Sequence, residues 1–124
     1  MGRTQRDKAF DGIAIGRIVV GAAAYAAPNL SGRLFGLDPE GNPQASYLGR
    51  LFGARDVVLG AGVLRAPKKQ KQMWATAGVA CDYADIGAGV LAGVRGQLPP
   101  ASAAMVTGTA AAFALVGTYL LQQS

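Results

Sequence analysis

The chain has 124 residues, 51% of them hydrophobic and only 15% charged, where soluble domains usually carry about 25% charge. It holds no His and a single Cys, which excludes His-based triads, His metal or haem ligation, CxxC redox chemistry and an intrachain disulfide. Glycine and alanine fill 18 and 24 positions, and the length supports one domain over residues 1–124.

Four apolar stretches follow one another, at about residues 10–28, 45–64, 73–94 and 100–121. Each is close to the ~20 residues that cover ~30 Å of hydrocarbon at 1.5 Å per residue. The connections carry turn residues: Pro28-Asn29, Asp38-Pro39-Glu40-Gly41-Asn42-Pro43, Pro67-Lys68-Lys69 and Leu98-Pro99-Pro100. Sustained period-2 alternation is missing, so helices rather than strands are predicted. A secretory signal ending at Ala24-Tyr25-Ala26 is disfavoured by Arg17 within the run. A soluble Ala-rich bundle, the reading that a modest mean hydropathy favours, is disfavoured because the stretches lack a Glu/Lys-rich face.

Charge then orients the spans. Arg3, Arg6 and Lys8 precede the first, and Arg65, Lys68, Lys69 and Lys71 lie around the middle connection. The other two connections contribute only Arg33 and Arg95, so both ends and the middle connection are expected on the cytoplasmic side. Lys68, Lys69 and Lys71 read as contacts for anionic lipid headgroups, not for nucleic acid.

Six ions fall well inside the expected spans: Arg17 in the first, Arg50, Arg55 and Asp56 in the second, Asp82 and Asp85 in the third. At about 2.5–3.5 kcal/mol each, the three in the second span cost roughly 9 kcal/mol, against some 2–5 kcal/mol returned by its apolar side chains. That helix needs partners that neutralise it. Helical spacing puts Gly49, Gly53, Asp56, Gly60 and Val63 on one stripe, and Gly78, Asp82, Asp85, Gly89 and Ala92 on another. Arg17 aligns with Gly21 and Ala24, and Gly12 lies four residues before Gly16. Ala104, Gly108 and Ala112 repeat every four in the last span, so Gly49, Gly53, Gly60, Gly78, Gly89 and Gly108 are the candidate helix-packing positions. Depths counted at ~1.5 Å per residue put Arg17 about 12 Å in, Asp56 and Asp82 about 13–14 Å and Arg55 about 15 Å. Asp85 falls at about 18 Å and Arg50 at about 22 Å. The expectation is a lower layer of Arg17, Arg55, Asp56 and Asp82 with an Arg50–Asp85 pair above it.

Smaller signals complete the reading. Gly-Arg-Leu-Phe-Gly occurs at residues 32–36 and 49–53 without making a repeat protein. Leu30, Leu34 and Leu37 share a face opposite Arg33, either a short interfacial helix or an extended surface loop. Gly87-x-Gly89-x-x-x-Gly93 lies inside an apolar run and reads as packing, not a dinucleotide turn. Cys81 reads as a small buried apolar residue, and Trp74 and Tyr119 as interface anchors on the cytoplasmic side. Ser31, Ser46, Ser102 and Ser124 have no basic partner at nucleophile spacing.

The segment Tyr47-Leu-Gly-Arg-Leu-Phe-Gly-Ala-Arg-Asp-Val-Val-Leu-Gly60 and the Asp82-x-x-Asp85 pair resemble a family of small actinobacterial integral membrane proteins of uncharacterised function. Arg50, Gly53, Arg55, Asp56, Gly60, Asp82 and Asp85 occupy the matching positions. More distantly the layout is similar to DoxX-type membrane bundles, although a single Cys gives their thiol chemistry no support. The resemblance implies membrane location and helix number but no reaction.

The expectation is therefore an all-α, four-transmembrane-helix bundle in the bacterial cytoplasmic (inner) membrane, both ends inside, with a short interfacial segment in the first connection. It is expected to be an accessory or scaffold subunit rather than an enzyme, needing no cofactor or metal. Its expected partners are lipid and a membrane protein or second copy. The alternative is a small transporter or channel using the Asp and Arg residues to pass a proton, ion or small solute.

Overall fold

The computed structural model describes residues 2–123 apart from the side chain of Arg3, so expectations about Ser124 and the Arg3 side chain lie outside the described residues. The fold is all-α: α1 spans Arg3–Ala26, α2 Pro28–Leu34, α3 Ala45–Arg65, α4 Lys68–Val94 and α5 Pro100–Gln122. No strand occurs among the described residues, as the missing alternation predicts.

Local chemistry sets the breaks. Ala27 leaves helical geometry and Pro28 opens α2, where a missing N–H costs nothing. The Ser31 hydroxyl donates to the Ala23 carbonyl at 3.1 Å, a second donor beside the Ala27 amide at 2.8 Å. α2 and α4 end alike: Gly36 and Gly96 take φ of +76° and +70°, and the amides beyond them close back on Gly32 and Ala92 at 2.9 and 2.8 Å. This is the glycine-dependent helix stop that a side chain at positive φ would strain. The two Gly-Arg-Leu-Phe-Gly copies thus diverge, the first ending a helix and the second lying inside α3. Of the two readings offered for Leu30 to Leu37, the structure has the short helix, with Leu30 and Leu34 exposed.

α1 and α3 pack antiparallel with their backbones nearly touching. A Cβ on Gly21 would stand 2.5 Å from the Gly53 carbonyl oxygen, and one on Gly60 would stand 2.6 Å from that of Ala14. α4 and α5 form a second antiparallel pair in which Gly89 faces Thr107 and Gly117 faces Val79. α3 then lies beside α4, where Gly62 receives the Trp74 ring, and α1 lies beside α5, where Gly16 meets Phe113. α1 and α4 are therefore diagonal and parallel.

Apolar packing concentrates at one end, where Phe10, Ala14, Val63, Ala75 and Leu120 cluster with Ile13, Trp74 and Leu121 around them. The two chain ends also meet there, because the Arg6 guanidinium donates to the Gln123 carbonyl. At the opposite end Gly36 seats against Ser102 and Met105, carrying the α2–α3 connection onto α5. The outer faces are apolar: Val19 is 62% exposed, Leu48 63%, Val58 58% and Leu115 64%. Water-facing helices place polar residues there.

Three helices are long and apolar enough to cross a membrane: α1, α4 and α5. α3, the second of the four expected spans, does not reach that standard because it carries Arg50, Arg55 and Asp56. α1 begins at Arg3 and α4 at Lys68, several residues before the expected apolar stretches. Lysine and glutamine extend a helix readily, so helices outrun their apolar segments.

Candidate functional site

The centre of the molecule is an ion pair across the diagonal. Arg17 of α1 donates to both carboxylate oxygens of Asp82 on α4, at 2.8 and 2.5 Å, a fork-to-fork geometry open to arginine and not lysine. Side-chain exposure is only 5% and 4%. The Phe113 ring of α5 lies 5.2 Å from the guanidinium carbon and covers one of its faces. Gly78 provides the space: a Cβ there would sit 2.9 Å from the guanidinium. α1 and α4 are too far apart for direct backbone packing, so a long side chain spans the gap.

A second cluster joins α3 to α4. Arg55 grips Asp85 with bonds of 3.0 and 2.7 Å and donates to its neighbour Asp56 at 3.3 and 3.2 Å. Phe52 lies 4.8 Å below its guanidinium carbon. Asp56 is buried, whereas the Arg55 and Asp85 side chains are about a third exposed, at 32% and 30%. Asp82 and Asp85 lie three residues apart on α4, so the two clusters adjoin.

The expected upper pair does not form. Asp85 is held by Arg55, and Arg50 is exposed with a single bond, from its Nε to the Tyr25 carbonyl at 3.3 Å. Five residues separate Arg50 from Arg55, which rotates them about 140° apart on the helix, so they cannot serve one acceptor face. The expected lower layer of four exists as two adjacent groups: a buried pair, and a triad that includes Asp85.

Glycine positions divide as well. A side chain at Gly53, Gly60, Gly78 or Gly89 would collide with a neighbouring helix or with Arg17, and at Gly49 would press on Pro28 at 3.4 Å. Gly108, expected as a packing position, has nothing within 4 Å of a Cβ and faces outward with Ala104 and Ala112. Gly12 is likewise open, because the buried stripe of α1 runs Phe10, Ala14, Arg17, Gly21, Ala24.

Two groups escape a reading of the sequence. Asp11 pairs with Lys71, which is buried and not on the surface with exposed Lys68 and Lys69. Lys71 therefore departs from its expected role as a lipid contact. Arg6 reaches Gln72 and Gln123. The available signal was depth: Asp11 lies just inside the first span, and α1 and α4 pair at nearly constant separations of 60, 65 and 66 residues.

Helical structure, buried ion pairs and three helices able to cross a bilayer point to a membrane protein. No family model matches the chain, and neither does any curated protein or solved structure.

Proposed function

We propose that the chain is a four-span membrane scaffold, a non-enzymatic accessory subunit whose ion pairs hold two helical hairpins in one arrangement. The observation that carries this is the Arg17–Asp82 pair: bidentate, buried on both sides, and bordered by a cavity of only about 10 Å³. That volume is about the least that accommodates one water, so it supports a fastening more than a conduit.

Parity supports the fourth span. Arg6 touches Gln123, so the ends lie together, and a chain whose ends share one side crosses an even number of times. With α1, α4 and α5 crossing, this favours α3 as the fourth span. Its 21 residues reach about 31 Å, and two of its three ions are matched by Asp85 and each other. Clustering of Arg6, Lys8, Arg65, Lys68 and Lys69 at that shared end favours its cytoplasmic placement. The resemblance to small actinobacterial membrane proteins fits an inner-membrane location, with lipid and a protein partner or second copy around it.

The partly exposed Arg55–Asp85 pair favours one other reading, a small transporter. Reconstitution in liposomes separates the two: the scaffold passes no proton or ion above protein-free controls. A flux abolished by Asp85→Asn would establish the transporter instead.

A further inference from the structure

A cavity lies at the basic end, away from both clusters. It has a volume of about 160 Å³, opens to the outside, and is lined by Arg6 and Asp7 of α1 and by Lys68, Lys69 and Lys71 at the start of α4. Four cations therefore surround it against one carboxylate on its wall, and of the four only Lys71 is ion-paired among the described residues, with Asp11. Among the described residues Arg6 donates only to neutral acceptors, the Gln123 carbonyl and the Gln72 amide oxygen at 3.2 Å, and its buried Nε has no acceptor. Lys68 and Lys69 are exposed around the rim. They also open a 27-residue helix with no side-chain cap and no acidic residue in its first turn, where the positive end of the helix dipole adds to their charge.

We infer that this pocket binds one phosphate group, with Arg6, Lys68 and Lys69 as its donors. A phosphate offers several acceptor oxygens around a single negative centre, which suits a wall that carries one guanidinium and two ammonium groups. The cavity is roomy enough for one such group. Phe10 forms part of its wall and leads into the apolar cluster with Val63, Ala75 and Leu120, so the site is polar at the rim and apolar behind. That gradient matches the headgroup end of an anionic phospholipid at the depth where α1 and α4 enter the bilayer. The lipid source rests on the membrane reading above; the phosphate chemistry does not.

The test uses the full chain, purified in mild detergent with phosphatidylglycerol and phosphatidylcholine present in equal amounts, and counts retained lipid by native mass spectrometry. One phosphatidylglycerol per chain is expected, with phosphatidylcholine lost. Lys68→Gln/Lys69→Gln, at exposed positions that leave the helix intact, is expected to weaken retention roughly thirtyfold, at about 1 kcal/mol per basic residue. Lys8→Gln, an exposed lysine outside the pocket, is expected to leave it unchanged. Inorganic phosphate is titrated separately, read by the fluorescence of Trp74, the chain's single tryptophan, in the apolar cluster behind the pocket. Displacement of lipid by submillimolar phosphate would assign the site to a soluble phosphate; no displacement would assign it to lipid. Equal retention of both lipids with no response to phosphate overturns the site, as does a Lys8→Gln loss as large as that of the double variant. Extraction of the protein from membranes by carbonate would instead overturn the membrane reading, with the phosphate titration still deciding the pocket.

Discussion

Arg17 and Asp82 face each other from helices whose backbones do not pack, joined by two hydrogen bonds in the most buried polar contact of the described residues. The pair holds the α1–α3 hairpin to the α4–α5 hairpin, alongside the apolar cluster that joins them at one end. Both partners have given up water, so neither can lose the other cheaply.

Single substitutions Arg17→Leu and Asp82→Leu are each expected to cost about 3–5 kcal/mol, because each strands a buried charge. The double Arg17→Leu/Asp82→Leu is expected to recover much of that loss. Thermal unfolding in detergent for all four proteins checks this, and simple additivity of the two losses would show that the residues are not coupled.

Arg55→Lys should be milder than Arg17→Leu: the charge stays, but the fork that holds Asp85 and Asp56 together is lost. Arg50→Gln is expected to change stability by no more than about 1 kcal/mol, since it removes one exposed hydrogen bond. Melting temperatures ranked Arg17→Leu lowest, then Arg55→Lys, then Arg50→Gln would bear this out; an Arg50→Gln loss matching Arg17→Leu would contradict the pairing described.

Gly53→Ala forces a methyl group into the Gly21 carbonyl, and a shift of α1 away from α3 is expected to cost about 1–3 kcal/mol or more. Gly108→Ala meets open space and is expected to be neutral or slightly stabilising. Expression level and melting temperature compared across the two substitutions test the close approach directly.

Single-cysteine reporters at Lys8, Asn42 and Gln122, in a Cys81→Ser background, report topology through an impermeant thiol reagent. Lys8→Cys and Gln122→Cys are expected to label from the same side, and Asn42→Cys from the other. Labelling of the two ends from opposite sides would remove α3 from the bilayer.

Much of this was legible in residue spacing. The α3 stripe Gly53, Asp56, Gly60 and Val63 and the α4 stripe Gly78, Asp82 and Gly89 are the buried faces of those helices. Helical periodicity fixes which residues share a face, and the cost of an unpaired ion in an apolar run requires that face to turn inward. The pairings were not legible, because they depend on how far each helix slides and turns against its neighbours. Arg50 and Arg55 lie on one helix with expected depths on either side of Asp85, yet the rotation of α3 gives Asp85 to Arg55 and leaves Arg50 outside. Asp11 and Lys71 find each other only because α1 and α4 run parallel across the diagonal.

Composition and periodicity alone thus determined an all-helical chain with apolar, membrane-length segments and inward-facing charge, since these follow from local geometry and the energetics of exposing each residue. Only the tertiary structure decided which arginine holds which aspartate, which glycines touch, and that Lys71 turns inward while Arg6 lines a pocket. Those outcomes depend on the register between helices, a property of two surfaces in contact that no single segment contains.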